Sequence, residues 1–288
     1  MQGFEWAAEL LPGELRELFL HLPGEELRHA EEIRLRLGEQ PTVQLSGEER
    51  ELPGGAAVTK RDLLRLLELA TGASPYAAEE AVRQGYVCAP GGVRVGLCGQ
   101  VRPGSGGAWA LSGLSSAAVR IPREIMGCAG ALCDAPFVST LILSPPGGGK
   151  TTLLRDMVRL LSDRGMRVGL CDERGEVAAL TAEGPGFDVG RHTDVLSSLP
   201  KARAAMQLIR TMAPQIVAMD EISASEDREA CRAAFGCGVR LLATAHGESR
   251  EELLKRPGWE ELLRQRLFSR LIRISCRRGR RQYREEWL

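Results

Sequence analysis

The sequence predicts an α/β protein whose second part is built on a mostly parallel sheet and is preceded by a smaller α+β unit. Three observations carry this. From Val138 onward, short apolar runs alternate with helical stretches, as in parallel strands covered on both faces. One strand-to-helix junction holds the glycine-rich run Ser144–Thr152. The 288-residue chain is also about twice a common domain length, and its composition changes near residues 124–137.

The elements of the first part follow in order. Leu10, Leu11, Leu15, Leu18 and Phe19 recur at helical spacing, so Trp6–Leu20 reads as a helix; Pro23-Gly24 interrupts it before a second helical stretch. Glu32–Leu37 alternates charged and apolar residues at the period of a half-buried strand. A turn at Gly38–Pro41 leads to a second strand, Thr42–Leu45. Thr59–Thr71 reads as a helix, with Thr59 and Asp62 in cap and first-turn positions, and Ser74–Gly85 as another. Gly85–Cys88 and Val93–Cys98 form strands joined by a turn at Ala89–Gly92. Pro103–Gly107 is an expected loop and Val119–Arg123 a short extended piece. The expected domains are 1–125 and 126–288, the second ending in a basic tail.

In the second part, Ser139–Leu143, Arg167–Cys171, Ile216–Met219, Val239–Ala243 and Leu271–Ile274 read as strands. Helices are expected at Thr151–Ser162, Ala202–Met212 and Glu226–Phe235, the last with Ser223 and Glu226 spaced as a capping box.

Composition excludes several classes. Lys+Arg and Asp+Glu both number 38, and 43% of residues are hydrophobic, which argues against a disordered chain or a globally basic nucleic-acid coat. No apolar run reaches the length of a membrane span: Ala129–Ser144 is broken by Asp134 and Pro136. Glu5 and Glu9 with no basic leader argue against a secretory signal, so a cytosolic protein is expected. Eight cysteines contain no CxxC pair, so buried free thiols in a reducing compartment are expected.

Ser144-Pro145-Pro146-Gly147-Gly148-Gly149-Lys150-Thr151-Thr152 has the form of a P-loop, with Ser144 where the usual pattern has its first glycine. Glycines let backbone N–H groups turn inward toward phosphate oxygens, and the following helix adds its positive end. Lys150 supplies charge for the β- and γ-phosphates and the Thr151 hydroxyl a ligand for Mg²⁺. A nucleotide with Mg²⁺ is therefore expected at this loop. Ile216–Met219 then presents Asp220 and Glu221 at a strand end. Asp220 suits the Mg²⁺ shell and Glu221 the polarisation of an attacking water. Glu173, in Cys171–Arg174, suits either task, and His246, in Ala243–Gly247, suits sensing the γ-phosphate; helix capping and a satisfied structural histidine are the alternatives.

These segments resemble the stage III sporulation protein AA family, over nearly the whole chain. Glu32–Gly38 and Val93–Gly96 are similar to the α+β domain that precedes the motor in that family. The resemblance implies a RecA-like P-loop ATPase related to type II and type IV secretion ATPases, self-assembled into a ring, usually of six, with nucleotide between the two domains. It places Asp172 and Glu173 at the family's Asp box and His246 at its His box. Arg94, Arg120 and Arg123 match arginines that reach the γ-phosphate, with Arg210 a further trans-acting candidate. The implied role is to energise a secretion-like channel between mother cell and forespore. It implies peripheral attachment to membrane proteins of that channel, from the mother-cell cytoplasm, with no membrane span of its own.

Two rival classes share the phosphate machinery. Residues 264–288 hold nine arginines against two glutamates, which would suit a recombinase-like, nucleic-acid-dependent ATPase. Phe268 and Tyr283 alone offer few stacking platforms, so nucleic acid is not the expected partner. A P-loop kinase would need a lid, for which Glu183–Asp194 is the candidate, but Glu221 beside Asp220 suits attack by water better.

Overall fold

The computed structural model describes the chain except residues 1, 46, 53, 75–76, 78, 80–82, 84, 104–108, 182–183 and 278–279. It comprises two compact units, Met1–Arg123 and Glu124–Leu288.

The first unit contains helices α1 (Gln2–Glu9), α2 (Gly13–Leu20), α3 (Gly24–His29) and α4 (Lys60–Ala70). Its strands are β1 (Ala30–Arg36), β2 (Thr42–Leu45), β3 (Glu48–Glu51), β4 (Tyr86–Ala89), β5 (Val93–Pro103) and β6 (Trp109–Arg120). They form one antiparallel sheet in the order β3-β2-β1-β6-β5-β4. Alternation decides its faces: Ile33, Leu35, Val93, Val95 and Val119 are buried with Phe19 of α2 and Leu63 and Leu66 of α4. Arg34, Arg36, Arg94 and Arg120 occupy the alternate positions. The Thr59 hydroxyl accepts from the Asp62 N–H, while the Asp62 carboxylate accepts from the Thr59 N–H, which starts α4.

Three differences from expectation have local causes. The helix expected over 6–20 is two helices, because Pro12 caps α2 and has no N–H to continue α1. Strand β6 is far longer than Val119–Arg123, since its small residues hide the alternation. Strand β3 consists only of exposed charged residues and carries no apolar signal. The helix expected at 74–85 and the loop at 103–107 fall largely outside the described residues.

The second unit contains β7 (Thr140–Ser144), α5 (Lys150–Asp163), β8 (Val168–Asp172), β9 (Leu180–Thr181), β10 (Gly184–Pro185), β11 (Thr193–Ser197), α6 (Lys201–Met212) and β12 (Ile216–Met219). It continues with α7 (Ser225–Gly236), β13 (Arg240–His246), α8 (Arg250–Leu254), α9 (Trp259–Arg264), β14 (Arg270–Arg277) and β15 (Arg280–Trp287). The main sheet runs β11-β8-β12-β13-β7-β14-β15, parallel throughout except for the β14–β15 hairpin. Every residue of β7, β8 and β12 is buried, as a sheet covered on both faces requires. Helix α5 packs Leu153, Leu154 and Met157 against Ile142, Leu170, Ala218 and Leu242. Ala204, Leu208 and Cys231 of α6 and α7 pack with Val217, Met219, Leu241 and Ala243 in a second cluster. Each fully buried Leu or Met here contributes roughly 1.5–3 kcal/mol of transfer free energy.

The segment expected as a basic tail is the β14–β15 hairpin. Leu271, Ile272 and Ile274 are buried, and the charged β15 forms the sheet edge, where charge discourages further pairing. Arg270 is itself buried: Nη1 donates to Leu132 O at 2.8 Å and to Glu285 Oε2 at 3.2 Å, and Nε to Thr140 Oγ1 at 3.1 Å. At the start of α7 the capping group is Asp227, whose carboxylate accepts from the N–H groups of Ser223 and Ala224, both at 3.0 Å; Ser223 and Glu226 do not form the expected box. Of the expected lid, Gly184–Pro185 is β10, Thr193 and Asp194 begin the edge strand β11, and Glu183 lies outside the described residues. Cys133, Cys171 and Cys231 are buried thiols, with burial pushing Cys231 up to about 12, whereas Cys88, Cys98 and Cys237 are exposed, contrary to expectation.

Candidate functional site

Parallel strands bring their C-terminal ends to one edge, the usual ligand edge of an open α/β sheet. Here β8 ends at Asp172, β12 is followed by Asp220, and Ser144 of β7 lies directly beside His246 of β13. The loop 145–149 then enters α5. Ser144 is fully buried, and its hydroxyl donates to Pro145 O at 2.9 Å. A Cβ at position 148 would lie 1.8 Å from that hydroxyl, so serine at 144 requires glycine at 148. Gly149 caps α5 at φ +98° and offers no side-chain acceptor, which leaves the first-turn N–H groups available to an anion.

Lys150 is almost completely buried, and its Nζ lies 3.1 Å from His246 Nδ1. Burial lowers the lysine pKa, with Asp220 and Glu221 opposing that shift. An ammonium only donates, so Nδ1 accepts and the imidazole proton belongs on Nε2. That nitrogen faces Glu221 Oε1 at 3.4 Å. Thr151 Oγ1 donates to Asp220 Oδ2 at 2.7 Å, and Thr244 Oγ1 donates to Asp220 Oδ1 at 2.5 Å. The Thr244 hydroxyl also accepts the Glu221 N–H at 2.7 Å. Thr152 follows in the first turn of α5, with Cys128 Sγ 4.0 Å from its carbonyl.

Glu221 adopts a left-handed backbone, φ +54°, uncommon for a residue with a Cβ. Its carboxylate lies between His246 and Arg174 Nη1, the latter at 3.0 Å, and its carbonyl accepts from Lys201 Nζ at 2.9 Å. Glu173 pairs with the same ammonium at 3.2 Å. Asp172, Glu173, Arg174, Glu176, Lys201, Asp220 and Glu221 line one small cleft. Asp172 is otherwise engaged: burial pushes its pKa up, and its carboxylate accepts the N–H groups of Val177 at 3.1 Å and Ala178 at 2.8 Å. Its task is to hold the loop after β8, leaving Glu173 as the open-edge acid of the pair. Among the described residues, no group of three or more His, Cys, Asp or Glu side chains could hold a metal ion.

The structure thus gathers Ser144–Thr152, Glu173, Asp220, Glu221 and His246 on one edge. Arg210 is exposed in the last turn of α6, whose C-terminal end leads into the start of β12, at the opposite edge of the sheet. The remaining arginines belong to the first unit. Arg120 Nε donates to Glu32 Oε2 at 3.3 Å, Arg94 lies over the Tyr86 ring at 4.2 Å, and Arg123 donates to Ala30 O at 3.3 Å. Sequence reasoning missed Arg174, Lys201, Thr244 and Arg281, whose Nε donates to Gly148 O at 3.2 Å. Only Lys201 left a signal: a lysine in the first turn of a helix opposes the positive end of its dipole, and such a residue calls for a partner.

The sheet order and the glycine-rich strand-to-helix loop define the class, a RecA-like P-loop α/β fold. It is shared by the Legionella pneumophila ATPase DotB, with a TM-score of 0.63 and 18% identity, over 96% of this chain and 83% of that one. The pilus retraction motor PilT, solved with bound ADP, superposes with a TM-score of 0.65 and 18% identity over 92% of this chain and 80% of that one. The family described as sporulation stage III, protein AA, matches residues 5–282, and the chain belongs to it. Its sequence is 35% identical over 281 residues to stage III sporulation protein AA of Bacillus subtilis (strain 168), covering 94% of this chain and 91% of that protein. A shorter similarity, 32% identity over 149 residues, links 50% of the chain to 26% of the ycf45 protein of Porphyra purpurea.

Proposed function

We propose that the chain is a Mg²⁺-dependent ATPase that drives a secretion-like channel between mother cell and forespore during sporulation. The observation that carries this is the Thr151–Asp220 hydrogen bond of 2.7 Å beside Lys150 at the mouth of the glycine loop. The loop N–H groups and Lys150 take the β- and γ-phosphates. Thr151 and Asp220 offer hard oxygen donors of the kind Mg²⁺ prefers, few in number because phosphates and water complete its shell. They would hold that ion, which when bound neutralises phosphate charge. Glu221 orients a water and takes its proton as the water oxygen bonds to the γ-phosphorus and the bond to the β-phosphate oxygen breaks, releasing ADP and phosphate. His246, shared between Lys150 and Glu221, is placed to report whether a phosphate has claimed the lysine. Glu173 is the second acid at the cleft.

The motor acts as a ring of copies of itself, six in this proposal, attached to the membrane proteins of the channel on the mother-cell side. Arg94 and Arg120 supply guanidinium groups suited to phosphate. Among the described residues no helix is long and apolar enough to cross a membrane. The names of DotB, an ATPase, and PilT, a retraction motor, support the motor reading.

Calorimetry with Mg-ATP, phosphate release and sizing with a non-hydrolysable analogue test the proposal together. Binding, hydrolysis and a nucleotide-dependent ring are expected; no heat beyond dilution would overturn it. Strong stimulation by DNA would favour a recombinase-type ATPase instead, and a phosphorylated metabolite a kinase.

A further inference from the structure

Glu221 carries out its proposed task from a backbone conformation it does not favour, so something must hold it there. Non-glycine residues persist at positive φ only where their surroundings over-determine them. On the N-terminal side the Thr244 hydroxyl takes the Glu221 N–H, and just past the residue the Ile222 N–H donates to Thr244 O at 2.8 Å. On the C-terminal side the Glu221 carbonyl points at the Lys201 ammonium, 2.9 Å away. Lys201 is 8% exposed and stands at the first position of α6, where burial and the helix dipole both disfavour its charge. Two carboxylates offset that cost: Glu173 at 3.2 Å and Asp227 at 3.5 Å. Asp227 in turn grips the N–H groups of Ser223 and Ala224, the residues that follow the turn. One ammonium therefore ties together the end of β8, the turn after β12 and the first turn of α7.

We propose that Lys201 is a positioning residue for the Glu221 carboxylate. By fixing the Glu221 carbonyl, it locks the left-handed turn that delivers the carboxylate to His246 and Arg174 at the mouth of the P-loop. The task suits lysine: one compact ammonium donates to the carbonyl and pairs with carboxylates from two other elements, whereas a planar guanidinium directs its donors within one plane. Lys201 touches neither the loop nor any group proposed to bind phosphate, so it acts on turnover and not on nucleotide affinity. This inference rests on the ATPase reading, and its test separates the two.

The experiment uses the full chain and measures ATP turnover, ADP affinity and binding stoichiometry by calorimetry for wild type, Lys201→Met, Glu221→Gln and the double variant. Lys201→Met is expected to lower kcat at least tenfold, with ADP affinity within threefold of wild type and unchanged stoichiometry. In the Glu221→Gln background the same change is expected to cost nothing further, because its effect passes through that carboxylate. Should Lys201→Met not fold, Lys201→Gln, which keeps one donor for the carbonyl, is expected to give the same split with a smaller loss. A wild-type protein that neither binds nor hydrolyses ATP overturns the ATPase reading. An active wild type with turnover unchanged in the lysine variants, with affinity and stoichiometry falling alongside kcat, or with losses that add in the double variant, overturns the role of Lys201 alone.

Discussion

Glu221→Gln is the sharpest perturbation of the proposed reaction, because the substitution keeps shape while removing basicity. Two effects compete, and the structure gives a magnitude for each. The carboxylate forms ion pairs with Arg174 and His246, but the Glu221 side chain is 27% exposed and Arg174 51% exposed. Screened pairs of that kind contribute about 0–1 kcal/mol each, and the single amide oxygen of glutamine still accepts from one of the two partners. The change in melting temperature is therefore expected to stay within about 4 °C. Removing a positioned general base costs about 10²- to 10⁴-fold in rate, or about 3–5 kcal/mol of activation free energy. Turnover should thus fall by at least two orders of magnitude while ATP still binds through Lys150 and the loop, giving a trapped ATP state. Single-turnover phosphate release with a fluorescent-nucleotide binding assay reads both quantities. Hydrolysis within threefold of wild type would refute the assignment and move the base to Glu173 or another group. A collapse of binding together with hydrolysis would refute it differently, by making Glu221 part of the architecture of the loop.

Lys150→Ala removes the ammonium beside the glycine loop and is expected to weaken ATP binding at least a hundredfold by calorimetry; unchanged binding would move the phosphate site elsewhere. Arg270→Leu leaves the Leu132 carbonyl without its donor and Glu285 without its partner, so a loss of about 2–4 kcal/mol is expected in urea titration, read as a shift in midpoint. In the first unit, hydrogen bonds from Arg36 and then Thr42 hold the Glu49 carboxyl down to about 2. A carboxyl depressed in the folded state stabilises it above the unfolded value, near 4.5, and that contribution is lost as pH falls toward about 2. Both side chains are more than a third exposed, so the expected contribution is below about 1 kcal/mol, seen as a smaller acid-induced loss of stability in Glu49→Gln than in wild type.

What the sequence made legible follows the range of the interactions responsible. Strands β7, β8 and β12 stood out because burial on both faces leaves uninterrupted apolar runs, which is a local signal. The α/β class and the mostly parallel sheet followed from those runs and from the glycine loop between β7 and α5, and the RecA-like assignment from the family resemblance. Strand β15 did not stand out: an edge strand is held by its backbone pairing to β14 and keeps Arg and Glu for solvent, so its composition is that of a tail. Arg270 was hidden for the opposite reason, a buried guanidinium whose partners Leu132, Thr140 and Glu285 are all distant or across a hairpin.

The candidate site divides along the same line. The loop, Lys150, Thr151, Asp220 and Glu221 are consecutive or at a strand end, and their geometry follows once the strands align. Asp172 and Glu173 are neighbours with opposite fates, which sequence alone does not separate, because the N–H groups that capture Asp172 come from the loop after β8. What no local pattern contains is the clamp on Glu221, since φ +54° is imposed by a hydroxyl from β13 and an ammonium from α6. A conformation imposed from two sides by distant elements changes whenever either element moves. The Glu221 carboxylate is thereby coupled to β13, which carries His246 at the mouth of the loop, and to α6, which follows the edge strand β11. Contacts that displace α6 would reach the proposed hydrolytic carboxylate through Lys201 without touching the nucleotide, the route by which a partner could set turnover independently of affinity.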